Sequence, residues 1–216
     1  RGNHASMGAL SIVYCCRSPA CSMESDEVIQ LFTECGALLE GHFMLSSGLH
    51  SRGYLQCALV LQHPVHTGVL GAALAERVRV HEPTVVLSPA LGGVIIGHAV
   101  ARVLGVRALF AERRDERMFL RRGFHLEPDD RVVIVEDVVT TGGSTRETMD
   151  VARAVGVRVV GAAAIIDRSG STVAFDVPFD TLATVSWQTY VPGACPQCVA
   201  GIPVTKPGSR VQPAAS

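Results

Sequence analysis

Two adjacent carboxylates stand directly before a turn rich in threonine, glycine and serine, within residues 132–145 (VVIVEDVVTTGGST). Glycines let backbone N–H groups converge on an anion, and a helix that begins at such a turn favours phosphate at its amino end. Glu136 and Asp137 would repel phosphate unless they bind something else, and sugar hydroxyls or a Mg²⁺-bound diol fit best. The pattern therefore predicts a site for a ribose 5-phosphate.

The sequence around this segment predicts how it is positioned. The β-branched run at residues 132–135 is typical of a central parallel strand buried on both faces, and Ser144 can cap a helix over residues 145–154. A P-loop and a G-x-G-x-x-G turn after a strand are both absent from the sequence. The alternative for this segment is an ordinary strand, turn and helix with an acidic, glycine-rich connection. The joint occurrence of paired acids and TTGGS at a strand end argues against it.

A second glycine turn, SPALGG at residues 88–93, also follows a β-branched run. Gly92 and Gly93 precede a helix predicted at residues 94–104, which would expose backbone N–H groups to a second anion. A plain strand-to-helix turn is the alternative for this segment taken alone, because glycine turns are common. Beside the first site, the segment becomes a candidate for binding a further phosphate group.

Five arginines crowd residues 111–124 (AERRDERMFLRRGF), where only three acids balance them. Such a charge run usually marks a solvated hairpin, and that interpretation is kept for Arg121 and Arg122. Arg113 directly follows a strand predicted at residues 107–110, so its guanidinium is a candidate ligand for the second anion.

Composition indicates one compact domain with a small appendage. The chain has 216 residues, of which 48% are hydrophobic and 18% charged. A formal net charge of −1 gives no long-range attraction to nucleic acid or an anionic membrane, and no apolar run approaches the roughly 18 residues that span a bilayer. Lys206 is the only lysine among 19 basic residues, so anion contacts must come mainly from arginine, backbone N–H groups or a metal.

Strand and helix signals alternate along the chain. We expect a first helix with an apolar face over residues 28–39, ended by Gly41, and a second from Pro64 to about residue 79. HFML and GYLQCALVL are predicted strands, and further strands are expected at residues 84–87, 107–110, 132–135 and 157–166, with one or two more within 175–187. This order predicts an α/β fold with a parallel sheet flanked by helices.

The beginning of the chain is set apart from the fold. Residues 1–22 are expected to be a tag remnant or an irregular extension, because RGNHAS resembles a vector sequence and no amphipathic period follows. Their short apolar piece lacks the basic segment of a signal peptide, so secretion is not expected and Met23 is a candidate start.

Residues 132–145 resemble the signature of the type I phosphoribosyltransferases, which bind 5-phosphoribosyl 1-pyrophosphate (PRPP). The resemblance implies that the acids hold the ribose hydroxyls, the TTGGS turn holds the 5′-phosphate and the turn at 88–93 faces the pyrophosphate. Mg²⁺ would bind mainly through PRPP, with no side chain assigned as a direct ligand. The implied PRPP-binding residues are Glu136, Asp137, Val138, Val139, Thr140, Thr141, Gly142, Gly143, Ser144, Ala90, Leu91, Gly92, Gly93, Arg113 and Arg114.

The chain departs from this family in its anion-binding positions. Many members carry a lysine matching Gly92, and a mobile loop matching residues 111–124 typically carries lysines and a histidine. In this sequence position 92 is glycine, and residues 111–124 contain no lysine and no histidine. Arg113 and Asp137 are the implied catalytic residues, acting by positioning and charge stabilisation without a covalent nucleophile. Because the family's loop often covers the neighbouring subunit's site, a homodimer is implied.

Residues 41–58 (GHFMLSSGLHSRGYLQCA) narrow the resemblance to the orotate phosphoribosyltransferases, which carry a similar amino-terminal hood. It implies transfer of phosphoribosyl from PRPP to orotate, giving orotidine 5′-monophosphate and pyrophosphate in pyrimidine synthesis. A guanidinium at a ribose site suits a planar carboxylate, whereas a surface pair of Asp167 with Arg168 is the alternative. The implied orotate-binding residues are Thr140, Arg168, Ser47 and Gly48.

The resemblance also implies one domain over residues 23–210, and the odd number of cysteines without a signal sequence indicates reduced thiols in a cytoplasmic protein. Its hood would comprise about 23–60 plus the carboxyl-terminal tail, and its core about 64–187. A purine-type phosphoribosyltransferase and a PRPP-sensing regulator without catalysis are the alternatives. The SSGLHS segment argues against the first, and the lack of a basic DNA-binding module argues against the second.

Seven cysteines, an odd number without a signal sequence, indicate reduced thiols. Cys195 and Cys198 have zinc-knuckle spacing, but a structural zinc ion needs four ligands and only this pair is evident. Some orotate phosphoribosyltransferases have a similar CPxC followed by G-I-P and K-P-G-S-R, so the segment is interpreted as a family tail near the hood. The histidines at 42, 50 and 125 show no spacing that makes a metal site and are assigned to the hood or a loop.

Overall fold

The computed structural model describes residues 23–45, 47–115 and 117–207. The expected tag remnant at 1–22, Ser46 of the hood turn, Glu116 of the arginine loop and the tail from residue 208 lie outside the described residues. In the described part of the chain, no helix is both long and apolar enough to cross a membrane.

The described chain contains nine strands and six α-helices. The strands are β1 (Leu38–Met44), β2 (His50–Leu55), β3 (Val85–Pro89), β4 (Arg107–Arg114), β5 (Arg117–Leu120), β6 (Arg131–Val139), β7 (Arg158–Asp167), β8 (Phe179–Thr184) and β9 (Thr189–Tyr190). The helices are α1 (Ser25–Glu34), α2 (Cys57–Leu61), α3 (Pro64–Val78), α4 (Gly92–Leu104), α5 (Gly143–Ala154) and α6 (Pro196–Val199). Short 3-10 turns follow α3, at Arg79–His81, and β9, at Pro192–Ala194.

A six-stranded sheet forms the centre, in the order β5-β4-β3-β6-β7-β8. Every neighbouring pair is parallel except β4 and β5, which form a hairpin. Val133 and Val135 of β6 pack into one core with α1, α3 and α4, whereas Val132 and Ile134 pack into a second core with α5. The predicted α/β architecture with helices on a mainly parallel sheet is confirmed.

A separate three-stranded antiparallel sheet, in the order β1-β2-β9, is called the hood below. Its third strand comes from the carboxyl-terminal part of the chain, and Thr205 adds an isolated bridge to Phe43 of β1. The expectation that the tail joins the amino-terminal segment agrees with this pairing. The exact boundaries assigned to hood and core stay predictions.

Two predicted elements differ from the observed ones. The first helix ends at Glu34 instead of Leu39, because Gly36 adopts a left-handed backbone (φ +63°) and terminates it. Leu39 belongs to β1. Residues 57–61, predicted as strand, form α2; a short run of apolar residues has no period that distinguishes the two structures.

Candidate functional site

The carboxyl ends of β3, β6 and β7 lie side by side, because these strands are parallel neighbours. This arrangement brings the turn after β3, the acid pair of β6 and the segment after β7 to one edge of the sheet. A Cβ added to Gly92 would lie 2.6 Å from Asp137 Oδ1. The backbone N–H of Arg168 donates to the carbonyl of Val139 over 2.8 Å. Open α/β sheets bind ligands at such an edge.

Glu136 is buried beneath the turn at residues 140–144, which is the predicted phosphate site. Its Oε1 accepts a 2.6 Å hydrogen bond from Ser144 Oγ, and its Oε2 accepts one from Thr145 Oγ1. Burial raises the pKa of Glu136, although the two hydroxyl donors lower it in part. The Glu136 carboxylate thus ties the end of β6 to the start of α5, and its predicted contact with the ribose stays a prediction.

Asp137 occupies the junction between the two glycine turns. Burial raises the pKa of its carboxyl group, while the N–H of Val138, at 3.0 Å from Oδ1, and the thiol of Cys57 lower it. Asp137 also raises the pKa of Cys57, after the larger effect of burial. Sequence reasoning assigned Cys57 only to an apolar face and missed this contact, because the thiol reaches Asp137 from α2 in the folded chain.

The predicted phosphate turn contains one position that requires glycine. Gly142 has φ +73°, and a Cβ there would lie within 3.0 Å of Val173, Arg146 and Phe175. Arg146 donates to the carbonyl of Thr141 over 2.8 Å and to that of Ala174 over 3.0 Å, while its guanidinium lies over the Phe175 ring. Arg146 therefore holds the turn in place through its contacts with Thr141, Ala174 and Phe175. Nothing in the sequence indicated this role.

The turn after β3 packs closely at Gly92, the position for which the resemblance implies a lysine in many family members. Besides the contact of Gly92 with Asp137, a Cβ on Gly93 would lie 2.8 Å from the carbonyl oxygen of Val135. Ala90 is fixed by a 2.8 Å hydrogen bond from its N–H to the carbonyl of Ala111, whereas Leu91 is exposed. The absence of lysine at position 92 is therefore accompanied by close packing of the turn against Asp137 and the backbone of β6.

Asp167 and Arg168 do not form the surface pair considered as the alternative. Asp167 is only 4% exposed and accepts hydrogen bonds from the N–H groups of Ser169 at 2.7 Å and Ser171 at 3.0 Å. Arg168 is half-buried, and burial lowers the pKa of its guanidinium while nearby Tyr54 raises it. Because Tyr54 belongs to β2, the Arg168 side chain faces the hood.

The hood turn that carries the other predicted orotate ligands is closed by backbone hydrogen bonds. The N–H of Gly48 donates to the carbonyl of Leu45 over 2.9 Å, and the N–H of Leu45 donates to the carbonyl of Leu49 over 2.8 Å. Ser47 and Thr140 are exposed at the surface. Ligand contacts by Ser47, Gly48 and Thr140 stay predictions.

The arginine loop is a hairpin, and three of its arginines contact acids. Arg113 of β4 donates to Glu147 of α5 over 2.5 Å, and Arg122 binds Glu112 through two hydrogen bonds of 2.7 and 2.9 Å. Arg114 lies 3.4 Å from Asp115 at an exposed position. Arg113 would have to leave Glu147 to reach a pyrophosphate. Its predicted role, and that of Arg114, therefore stay predictions.

The cysteine pair has the partners that the sequence did not reveal. His42, His50, Cys195 and Cys198 each place one potential ligand atom within 4.8 Å of the other three. The sequence showed only two of the four ligands that a structural zinc ion needs, whereas the folded chain brings two hood histidines to the cysteine pair. The residues come from opposite ends of the chain, and His42 lies where the register of β1 with β2 shifts, so no sequence period connects them.

Comparisons with known proteins identify the family to which the chain is similar. A profile of the family described as Phosphoribosyl transferase domain matches residues 60–194. The chain is 52% identical over 186 residues to the orotate phosphoribosyltransferase of Carboxydothermus hydrogenoformans, covering 85% of this chain and 97% of that protein. It is 50% identical over 188 residues to the enzyme of the same name from Pelotomaculum thermopropionicum, covering 87% and 99%.

A solved structure leads to the same family. The crystal structure of orotate phosphoribosyltransferase from Aeropyrum pernix superposes with a TM-score of 0.60 at 28% identity, covering 73% of this chain and 93% of that one. The match in sequence extends over nearly the full length of the bacterial relatives. The chain therefore belongs to the phosphoribosyltransferase family and, within it, to the orotate phosphoribosyltransferases.

Proposed function

We propose that this protein transfers the 5-phosphoribosyl group of PRPP to orotate, releasing pyrophosphate and forming orotidine 5′-monophosphate for pyrimidine biosynthesis. The observation that carries the proposal is the convergence of an acid pair, two glycine turns and the half-buried Arg168 guanidinium at one sheet edge. The near full-length similarity to proteins named orotate phosphoribosyltransferase supports the choice of base.

Each part of this edge has a proposed task in positioning PRPP. Asp137, with Glu136 behind it, holds the ribose hydroxyls, and the turn from Thr140 to Ser144 holds the 5′-phosphate through backbone N–H groups and the Ser144 hydroxyl. The turn at 88–93 faces the pyrophosphate. A leaving pyrophosphate needs fixed positive charge and N–H donors more than it needs a proton, so positioning and electrostatics supply the rate enhancement.

Arg168 has the proposed task of binding the orotate carboxylate. Its guanidinium presents two parallel N–H donors, which match the two oxygens of a planar carboxylate. A bound carboxylate would also compensate the guanidinium for the burial that lowers its pKa. An uncharged purine offers no such partner, so the side chain favours orotate over a purine base.

The residues at this edge fit a Mg²⁺ ion held mainly by the substrate. Among the described residues, the grouping of three or more potential metal ligands lies in the hood and not around Asp137. Mg²⁺ retains water and substrate phosphates readily, so one or two carboxylates near the diol suffice. When bound, the ion would neutralise charge on the pyrophosphate, while Asp137 orients the ribose.

Turnover of orotate by the purified protein with PRPP and Mg²⁺ tests the proposal directly. We expect orotidine 5′-monophosphate to form, whereas adenine or guanine should give no product; a purine enzyme would reverse this preference. PRPP binding without turnover of any base would identify the regulator instead.

Asp137→Asn should weaken PRPP binding and its dependence on Mg²⁺ together, because the carboxylate faces the diol. Calorimetric titration of PRPP with and without Mg²⁺ measures both effects. Asp150→Asn, at an exposed position of α5, is the matched control and should leave them unchanged. Unchanged PRPP affinity in Asp137→Asn would disprove the assignment of the acid pair.

We further propose that the enzyme acts in the cytoplasm as a homodimer and that nucleic acids and membranes are not its partners. The support is the balanced charge of the sequence and the family's use of a loop that covers the neighbouring site.

A further inference from the structure

Four potential metal ligands that take no part in the proposed reaction meet in the hood. His42 lies on β1, His50 begins β2, and Cys195 and Cys198 lie at the start of α6 and within it. We propose that these four side chains bind a structural Zn²⁺ ion. The proposal rests on their geometry alone and does not depend on the reaction catalysed.

The distances between the ligand atoms approach those of a zinc tetrahedron. Bond lengths of about 2.05 Å to nitrogen and 2.3 Å to sulfur give tetrahedral edges of about 3.3 Å for N–N and about 3.6 Å for N–S. His42 Nε2 lies 3.4 Å from Cys195 Sγ and 3.7 Å from Cys198 Sγ, and His50 Nδ1 lies 3.2 Å from Cys198 Sγ. The two nitrogens are 2.8 Å apart. The imidazole nitrogens would have to move apart by about half an ångström to reach the tetrahedral N–N edge, and all four ligand atoms already lie within 4.8 Å of one another.

The protonation of His42 is already set for metal binding. Its Nδ1 lies 2.7 Å from the carbonyl oxygen of Ile202, and a carbonyl can only accept. In the neutral imidazole Nδ1 therefore carries the proton, and Nε2 presents its lone pair, which accepts from His50 Nδ1 over 2.8 Å. On metal binding His50 Nδ1 would release that proton, as the two thiols would release theirs. Histidine ligands of zinc commonly donate their second N–H to a carbonyl, which fixes the ring orientation.

The backbone around His42 is also fixed from the tail. Gln197 donates to the carbonyl of Gly41 over 2.9 Å, and the N–H of Thr205 donates to the carbonyl of His42 over 2.7 Å. The N–H of Met44 donates to the carbonyl of Thr205 over 2.8 Å. The segment that carries the two cysteines is thus aligned on the strand that carries His42 by hydrogen bonds of the protein itself.

The ligand set indicates a structural ion. Two cysteines and two histidines give zinc its four ligands, whereas a catalytic zinc keeps one position open for water or substrate. His42, His50 and Cys195 are buried, and only Cys198 reaches the surface. The ion would connect β1 and β2 to the tail, on either side of the turn that carries Ser47 and Gly48.

Metal analysis of the full-length protein tests the proposal. Protein made in zinc-containing medium and purified without chelator should contain about one zinc ion per chain. Cys198→Ser, at the exposed edge of the cluster, should reduce the content to near zero. Cys35→Ser changes another thiol, which lies at the end of α1 outside the cluster, and should leave the content unchanged.

Cobalt substitution provides a second measurement that does not depend on any variant folding. Removal of zinc from the reduced wild-type protein and addition of Co²⁺ should produce the strong visible absorption of tetrahedral cobalt, with thiolate-to-cobalt bands in the near ultraviolet. Zinc below about one tenth per chain together with a weak octahedral cobalt spectrum would overturn the proposal. A disulfide between Cys195 and Cys198 in the protein as purified, seen as a loss of two hydrogens by mass spectrometry, would overturn it as well.

Discussion

The guanidinium of Arg168 is half-buried at the end of β7, near Tyr54 of the hood. Arg168→Ala should raise the Michaelis constant for orotate by roughly ten- to a hundredfold, because a hydrogen bond to a charged group contributes about 1.5–3 kcal/mol. The Michaelis constant for PRPP should change little, since PRPP does not carry the carboxylate that Arg168 faces. Steady-state kinetics with each substrate varied in turn separates the two constants.

Arg158→Ala is the matched control, because Arg158 lies exposed at the opposite end of the same strand. It should leave both constants unchanged. Equal increases for orotate and PRPP in Arg168→Ala would show that the residue supports the whole site and does not bind the base.

Arg113 is the candidate for replacing the lysine that related enzymes carry in this loop. Charge stabilisation of departing pyrophosphate requires no proton transfer, and a guanidinium binds phosphate oxygens well. Arg113→Ala should therefore reduce turnover by roughly two to three orders of magnitude, as the loss of one charge-stabilising donor typically does. Measurement of kcat at saturating substrates checks this, and Arg113→Lys should restore part of the rate.

Arg121→Ala, after the end of β5 in the same hairpin region, should leave turnover nearly unchanged and serves as the control. The contact of Arg113 with Glu147 means that the side chain would have to exchange partners in order to bind pyrophosphate. A fully active Arg113→Ala enzyme would assign charge stabilisation to the turn at 88–93 and Mg²⁺ instead.

At the scale of secondary structure, Glu136 connects β6 to α5 through Ser144 and Thr145. Burial raises its folded-state pKa above the ordinary value of 4.5, so the folded protein binds a proton more tightly than the unfolded chain. The resulting stability is present below pH 4.5 and is lost as pH rises through the folded pKa. Glu136→Gln replaces the titrating carboxyl group with an amide that does not titrate. The free energy of unfolding of the wild type minus that of the variant should therefore fall as pH rises.

Urea unfolding of both proteins from pH 4 upward measures this difference. The comparison cancels the contribution of carboxyl groups whose pKa is lowered, such as Asp130 and Asp176, because both proteins retain them. A difference that rises with pH would show that the ionised carboxylate is the stabilised form and that the hydroxyl donors outweigh burial.

The elements around the site were predictable where the sequence carries a local signal. Pro64 marks the start of α3, and the β-branched run of β6 followed by glycines marks the strand, the turn and α5. The helical state of residues 57–61 was not predictable, because these apolar residues pack equally well in either structure. The end of α1 did carry a local signal in Gly36, but the apolar positions up to Leu39 hid it. The contact of Cys57 with Asp137 was not predictable either, because the thiol reaches Asp137 from α2.

At the scale of the whole molecule, the family's loop predicts a homodimer with shared sites. Sedimentation should give about twice the chain mass of 22.9 kDa, and an active monomer would exclude the arrangement. Mixing Arg113→Ala with Asp137→Asn subunits tests the sharing, because a mixed dimer has one site with both residues intact. Activity should return to roughly one quarter of wild type if subunits exchange at random between the two sites of a symmetric dimer.

Refolding each variant alone provides the control and should give only its own residual activity. If the mixture regains nothing although mixed dimers are present, each Arg113 serves its own subunit. The loop would then act within one chain.

The assembly of the hood lay beyond what the sequence could predict. β2 pairs with β9 across most of the length of the chain, and β9 has only two residues, which is too short for a periodic pattern. The cluster around His42 follows from that pairing and from the irregular register of β1. Local signals therefore located the edge proposed to bind PRPP, whereas the parts built from distant segments required the folded chain.

The strand order of the hood has a consequence for protein synthesis. A ribosome makes β1 and β2 early and β9 only after the central sheet, so the growing chain carries β2 with an unpaired edge for most of its synthesis. An unpaired edge can recruit another strand, including one from a neighbouring nascent chain. An incomplete chain that ends before Tyr190 would expose this edge and lack a finished hood, and chaperones and proteases recognise such features.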